Sequence, residues 1–184
     1  MAYRNGTYVA FHADGTNQPG QSDLMYYHLM CAWTAHPDDD FTMVNSHDKV
    51  SAVRDTSKRE TLRRSLKERL SNSKNMVLII GETTKFDTDW VPFEIEQAVD
   101  TYQIPIIVAY TTKVFTGPIR NPNALANYWP AALAIRINNG TAHAIHMPFR
   151  KEAVMDAISQ FSHNNFPPYP YYSDAAYKSF GIGG

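Results

Sequence analysis

Cysteine is almost absent from this sequence: of 184 residues, only Cys31 is a cysteine. An internal disulfide is therefore excluded, and nothing indicates a protein built for an oxidising compartment. The opening residues, MAYRNGTYVAF, also lack the long apolar segment of a secretory signal. Together these absences predict a cytoplasmic protein.

Long apolar runs and an excess of one charge are missing as well. The longest purely apolar runs, such as residues 76–80, are far shorter than the roughly twenty residues that a membrane helix needs. Lys and Arg total 17 against 18 Asp and Glu, for a formal net charge of -1. Because no general field attracts nucleic acid or an anionic membrane, we expect neither as a partner.

Motifs of several enzyme classes are absent too. The sequence contains no G-x-x-x-x-G-K-[ST] phosphate loop, no G-x-G-x-x-G after the first strand and no G-x-S-x-G nucleophile turn. The seven histidines are scattered without zinc-ligand spacing, so we predict no metal. A phospho-acceptor domain would need an aspartate at the end of the third strand, where this chain has Gly81.

Strand-like and helix-like segments alternate along the first 110 residues. The sequence predicts strands at 7–12, 41–46, 75–84 and 104–110, and helices at 22–35, 57–74 and about 90–102. The run at 76–80 is apolar without alternation, which is typical of a strand covered by helices on both faces. We therefore predict an α/β fold with a doubly wound parallel sheet.

The remaining chain is less regular. The sequence predicts a loop over 111–130 and one or two short strands within 134–149, around Asn138, Asn139 and Gly140. It also predicts a helix at 151–161. A proline- and tyrosine-rich tail, 163–184, is expected to lie over the surface. No repeat or linker divides the chain, so we predict one domain, 1–184, with a core of about 5–162.

Ligands of doubly wound sheets bind outside the carboxyl ends of the strands. The segments predicted to lie there are 12–21, 45–56, 81–89 and the chain from 111 onward. One carboxylate, Glu94, stands on the helix that follows the third of these strands.

Pro92 requires the helix that carries Glu94 to begin between residues 87 and 91. Helical spacing then places Trp90 and Glu94 along one edge of a buried stripe. From position alone, the favoured explanation of Glu94 is an ordinary helix former at the boundary of the core, and that of Trp90 is a packing residue. The buried stripe consists of Val91, Ile95, Ala98, Val99 and Tyr102.

The segment 66–110, LKERLSNSKNMVLIIGETTKFDTDWVPFEIEQAVDTYQIPIIVAY, resembles the TIR-like proteins of the Thoeris anti-phage defence system. The matching features are a helix ending in SNS, a strand with LIIGETT, the pattern W-V-x-F-E-I and a following IPIIVAY. The opening YVAFHAD is similar to the first strand and loop of that group. This resemblance implies a flavodoxin-like TIR fold with an irregular C-terminal extension.

The resemblance also implies an activity: an NAD glycohydrolase or ADP-ribosyl cyclase that makes a cyclic or conjugated ADP-ribose signal for a separate effector protein. The family's catalytic glutamate falls on Glu94. NAD is the substrate, no further cofactor is implied, and family members can self-associate into a homo-oligomer. Expected substrate-binding residues are Phe11, His12, Asn45, Ser46, His47 and Trp90, with Asp14 and Asp48 as weaker candidates.

Two other functions stay open from the sequence. Many TIR-like proteins are non-catalytic interaction modules, and such a module would signal by assembly alone. A nucleoside deoxyribosyltransferase-like enzyme would share the sheet and a glutamate but would leave NAD untouched.

Overall fold

A parallel sheet forms the centre of the molecule, seen in a computed structural model that describes residues 4–13, 23–34, 43–44 and 56–183. Its strand order is β2-β1-β3-β4-β5. The strands are β1 (Gly6–Ala10), β2 (Met43–Val44), β3 (Ser73–Ile80), β4 (Ile106–Tyr110) and β5 (Ala144–Pro148). All neighbouring pairs are parallel. This is the flavodoxin-like order of a doubly wound sheet, so the predicted fold class is confirmed.

Helices cover both faces of the sheet. They are α1 (Leu24–Thr34), α2 (Thr56–Ser71), α3 (Trp90–Glu96), α4 (Ala131–Asn138), α5 (Lys151–Gln160) and α6 (Asp174–Ser179). A π-helical turn, Gln97–Thr101, continues α3, and short 3-10 helices occupy Thr84–Phe86 and Pro122–Tyr128. Within the ranges that the structure describes, no helix is both long and apolar enough to cross a bilayer.

Alternate residues of each strand enter opposite halves of the core, as the pleat of a strand requires. In β1, Tyr8 and Ala10 pack with the helices α2, α3 and α4, whereas Val9 packs on the other side with α1 and α5. The predicted stripe on α3 is confirmed for Val91 and Ile95, which have no exposed area. The side of the sheet that contains Tyr8 is therefore the side that receives α3.

The prediction of short strands around Asn138 is wrong for residues 134–138, which belong to helix α4. The isoleucines there have high strand propensity and precede Asn-Gly, a combination that favours a hairpin. Gly140, at φ 76°, instead ends the helix, because a left-handed residue after the last turn is a common helix stop. The strand follows later, at β5.

The tail is part of the core and does not merely lie over the surface. Tyr177 and Ile182 are 1% and 3% exposed, and both pack against residues of α1 and α5. The backbone N–H of His146 in β5 donates to the carbonyl of Pro170 at 2.8 Å, so the tail also covers the outer edge of that strand. Covering an edge in this way blocks unwanted strand pairing.

Candidate active site

The strand order places a crevice between β1 and β3. From β1 the chain crosses to β2 on one side and then returns to β3 on the other, and ligands of such sheets bind where the direction reverses. His12 follows the end of β1, and Gly81 follows the end of β3. The helix α3, which carries Glu94, begins nine residues beyond Gly81. The site therefore has to be built from these segments.

Glu94 is completely buried, with no exposed area. The hydroxyl Oη of Tyr8, in the middle of β1, donates a hydrogen bond of 2.5 Å to Glu94 Oε1. Burial, followed by the charge of Glu94, raises the pKa of Tyr8 well above its ordinary value, so the phenol keeps its proton and acts as the donor. Glu94 is thus not a boundary residue, and its carboxylate has a specific partner on the sheet.

Asp87 connects the end of β1 to the start of α3. Its Oδ1 accepts the backbone N–H groups of Asp89 and Trp90 at 2.9 and 3.0 Å, while its Oδ2 lies 3.1 Å from His12 Nδ1. Burial alone would raise the pKa of Asp87, but the bonds from His12 and from the helix backbone outweigh it and lower the pKa. The carboxylate therefore caps the helix and orients the imidazole together.

Trp90 lies one helical turn before Glu94 and is 7% exposed. The guanidinium of Arg59, from α2, lies 5.4 Å from the centre of its ring and also forms an ion pair with Asp89. Among the described residues, the buried indole N–H of Trp90 has no hydrogen-bond acceptor. A buried donor without an acceptor is rare and costs free energy. This position of the Trp90 ring is therefore less favourable than one in which the indole N–H is hydrogen-bonded.

A second buried carboxyl group, Asp23, lies at the start of α1. Its Oδ2 accepts a 2.8 Å hydrogen bond from Thr84 Oγ1, which itself accepts the N–H of Gly81. A Cβ at position 81 would lie 2.0 Å from Asp23 Oδ1, so any other residue there would displace the Asp23 carboxyl group. Burial raises the pKa of Asp23. Its carboxyl group therefore lies against the carboxyl end of β3, beside the crevice.

The structure brings together three of the predicted site residues. His12, Trp90 and Glu94 belong to elements that meet around the crevice, and Asp87 bonds to the first two. Phe11 lies on the other face of the sheet, where its ring stacks on Tyr27 at 5.0 Å. A substrate contact by Phe11 therefore stays a prediction. Asn45, Ser46, His47, Asp14 and Asp48 lie outside the described residues.

The sequence did not identify Tyr8 or Asp87 as site residues. It also did not predict that the Asp23 carboxyl group bonds to Thr84 beside the crevice. A phenol inside a predicted strand was the available signal for Tyr8, because a buried hydroxyl requires a partner. An aspartate three residues before the first helical residue was the signal for Asp87, since that side chain can bond the free N–H groups of a helix start. Neither pattern by itself indicates which residue it contacts.

Other parts of the described chain offer less. The ranges given above contain no group of three side chains suited to a metal ion, and the prediction of no metal remains a prediction. An open groove of about 400 Å³ lies near the amino ends of β4 and β5, beside Ile104 and His143. That is the opposite end of the sheet from the crevice, and we assign the groove no function.

The sequence matches a family model described as the TIR-like domain of the Thoeris protein ThsB, over residues 8–114. That range covers more than half of the 184 residues. The chain belongs to the Thoeris ThsB TIR-like family. Membership assigns the protein to Thoeris defence and agrees with its flavodoxin-like fold. The match includes Tyr8, His12, Asp87, Trp90 and Glu94, whereas α4, β5, α5 and the tail follow it.

Proposed function

We propose that this ThsB-type protein cleaves NAD at the bond between nicotinamide and ribose, with Glu94 as the catalytic residue. The observation that carries the proposal is a fully buried carboxylate, hydrogen-bonded to the sheet, on the helix that follows the carboxyl end of β3. Carboxylates are almost never fully buried unless they are paired, and a buried carboxylate beside a cleft is a candidate for function. Family membership supports this proposal of the reaction class.

The chemistry suits one fixed anion. The bond from ribose C1′ to the nicotinamide nitrogen breaks, and its electron pair goes to the nitrogen, so the cationic ring leaves as neutral nicotinamide. The ribose becomes an oxocarbenium ion, and no general acid is required. A carboxylate held in a low-dielectric site stabilises that developing positive charge without reorganising.

Access to Glu94 requires movement, because its carboxylate has no exposed surface. Trp90 is the group best placed to move, since it precedes Glu94 by one turn and its indole N–H has no acceptor within the part of the chain that the structure describes. The ring is held partly by Arg59 of α2, an electrostatic contact that a charged diphosphate would compete for. Displacing Trp90 would give the ribose a path to the carboxylate.

The closed surroundings of Glu94 also favour a signalling product over simple hydrolysis. When water is excluded, the oxocarbenium carbon is captured by an atom of the same ADP-ribose unit or by a conjugating group. The attacking nucleophile supplies the electron pair of the new bond to C1′, and the proton that it carried passes to solvent. The product, cyclic or conjugated ADP-ribose, would act on a separate effector protein. We propose no cofactor beyond the substrate NAD, and self-association as a homo-oligomer is part of this proposal.

Nicotinamide release from NAD, measured with purified protein with and without an extract of infected cells as trigger, tests the proposal. Glu94→Gln should reduce the rate about 10²- to 10³-fold, the range for loss of one preorganised electrostatic group. Glu96→Gln is the matched control, because Glu96 is an exposed glutamate two residues further along α3. Mass spectrometry of the nucleotide product identifies its class. Equal rates in wild type and Glu94→Gln would refute the assignment.

A non-catalytic interaction module is the second candidate, and the complete burial of Glu94 is the observation that favours it. A carboxylate sealed inside a stable core has no contact with any substrate. The same assay separates the two candidates, since a module leaves NAD intact even when the trigger is present and its activity depends on assembly.

A further inference from the structure

We propose that Tyr8 is a positioning residue for Glu94: its hydroxyl fixes the orientation of the carboxylate that stabilises the developing positive charge on the ribose. This inference rests on the proposed function and adds a residue that lies on the sheet, 86 positions away from Glu94 in sequence. Tyr8 itself has no exposed area, and we assign it no contact with the substrate. Its effect has to pass through Glu94.

Tyr8 is suited to this role because its own position is fixed. It pairs with Met76 of β3 on one side and with Val44 of β2 on the other. Its side chain lies in the part of the core shared by α2, α3 and the sheet. A phenol has only two side-chain torsions, so few degrees of freedom remain once the ring is packed. The hydroxyl is therefore a stationary donor.

Glu94, by contrast, needs an external constraint. The last torsion of a glutamate joins an sp³ and an sp² carbon, and its energy profile is broad, so packing of the stem alone does not set the plane of the carboxylate. A 2.5 Å hydrogen bond to Oε1 restrains it. Bonds from a hydroxyl to an ionised carboxylate are short and about twice as strong as neutral ones. Small displacements of a catalytic group from its productive geometry are costly to the rate.

A second buried tyrosine provides the matched comparison. Tyr110, two strands away in the same part of the core, also has no exposed area, and its hydroxyl accepts from Trp129 Nε1 and bonds to His146 Nδ1. Neither partner is a carboxylate, and neither is a predicted site residue. Removing the hydroxyl of Tyr110 therefore also breaks buried hydrogen bonds in this part of the core, without touching Glu94.

The test measures kcat and KM for NAD in the wild type and in Tyr8→Phe, Tyr110→Phe and Glu94→Gln, with the folded fraction of each determined by urea unfolding. Tyr8→Phe is expected to lower kcat about tenfold or more while KM stays within about twofold, because only the geometry of the transition state changes. Tyr110→Phe should leave both constants within about twofold per folded molecule. A purely structural role of Tyr8 would not produce this split.

Each outcome is informative. If the wild type is active and Tyr8→Phe matches Tyr110→Phe, the positioning role is refuted while the proposed function stands. A rise of kcat in Tyr8→Phe also refutes it, since Tyr8 would then be restraining Glu94 in an inactive state. If the wild type releases no more nicotinamide than Glu94→Gln, the proposed function fails, and the inference that rests on it fails too.

Discussion

Two buried tyrosines on parallel strands of one sheet have hydroxyl partners of different kinds. Tyr8 donates to the carboxylate of Glu94, whereas Tyr110 connects two neutral groups, the indole of Trp129 and the imidazole of His146. Burial raises the pKa of Tyr110 and lowers that of His146 to about 3, so this second set stays uncharged at neutral pH. Of these two sets of residues, only the Tyr8 pair includes a carboxylate.

This difference distinguishes a hydroxyl group with a structural role from one with a proposed catalytic role. A neutral chain of donors and acceptors, fully paired, fits within a core and specifies its arrangement. It also ties the segment beyond the family match, with Trp129 and His146, to β4 inside the match. A buried carboxylate carries a desolvation penalty that apolar residues of similar size would avoid. The proposed function accounts for a carboxylate at Glu94, whereas stability alone does not require one.

Replacing the Tyr8 pair by apolar groups should have the largest effect on activity and the most favourable effect on stability. In Tyr8→Phe/Glu94→Met, nicotinamide release should fall at least about 10²-fold. The urea midpoint should be unchanged or higher, because both partners of a buried charged pair are removed together. A drop in the free energy of unfolding as large as that of Tyr110→Phe, about 1–3 kcal/mol, would show that the two tyrosines serve the same structural purpose.

The neutral network should respond to acid through His146. Its pKa is about 3 in the folded chain and about 6.5 when unfolded, so the unfolded state binds the proton first as the pH falls. The stabilisation is complete above pH 6.5 and is lost as the pH decreases towards 3. Between pH 6.5 and 4.5, the free energy of unfolding of wild type should fall by about 2 kcal/mol more than that of His146→Gln.

Urea unfolding at several pH values provides the measurement for His146. His143→Gln is the control, because His143 precedes the same strand but has an exposed ring stacked on Phe166. In that variant, the free energy of unfolding should change with pH as steeply as in the wild type. A wild type and a His146→Gln variant with parallel pH curves would mean that His146 is not held neutral by the core.

The smallest change in the free energy of unfolding is expected at Asp87, on the edge of the site. Asp87→Ala removes the acceptor of two helix N–H groups and should cost about 1 kcal/mol at pH 7. Because the pKa of Asp87 is lowered in the folded chain, its contribution is present above about pH 3.9 and is lost as the pH falls further. Asp87→Asn should retain part of the cap, and urea midpoints at pH 7 and pH 3 compare the three proteins. A difference between wild type and Asp87→Ala that persists unchanged at pH 3 would contradict this account.

Several secondary-structure elements were predictable from the sequence, and others were not. The unbroken apolar run at 76–80 predicted a central strand, and Pro92 with the spacing of Val91 and Ile95 predicted the helix that begins at Trp90. These are local signals, because period and proline geometry depend on neighbouring residues. The segment 134–138 was misjudged, since its isoleucines and the Asn-Gly that follows suit a hairpin as well as a helix end.

The amino-acid sequence by itself determined the alternation of strands and helices, the side of α3 that faces inward and the position of Glu94 one turn after Trp90. Only the tertiary structure decided that Glu94 meets Tyr8 across 86 residues and that Asp87 meets His12 across 75. The physical reason is that period and caps are properties of a short segment. A contact between a strand and a helix depends on the register of the sheet and the packing of the whole core.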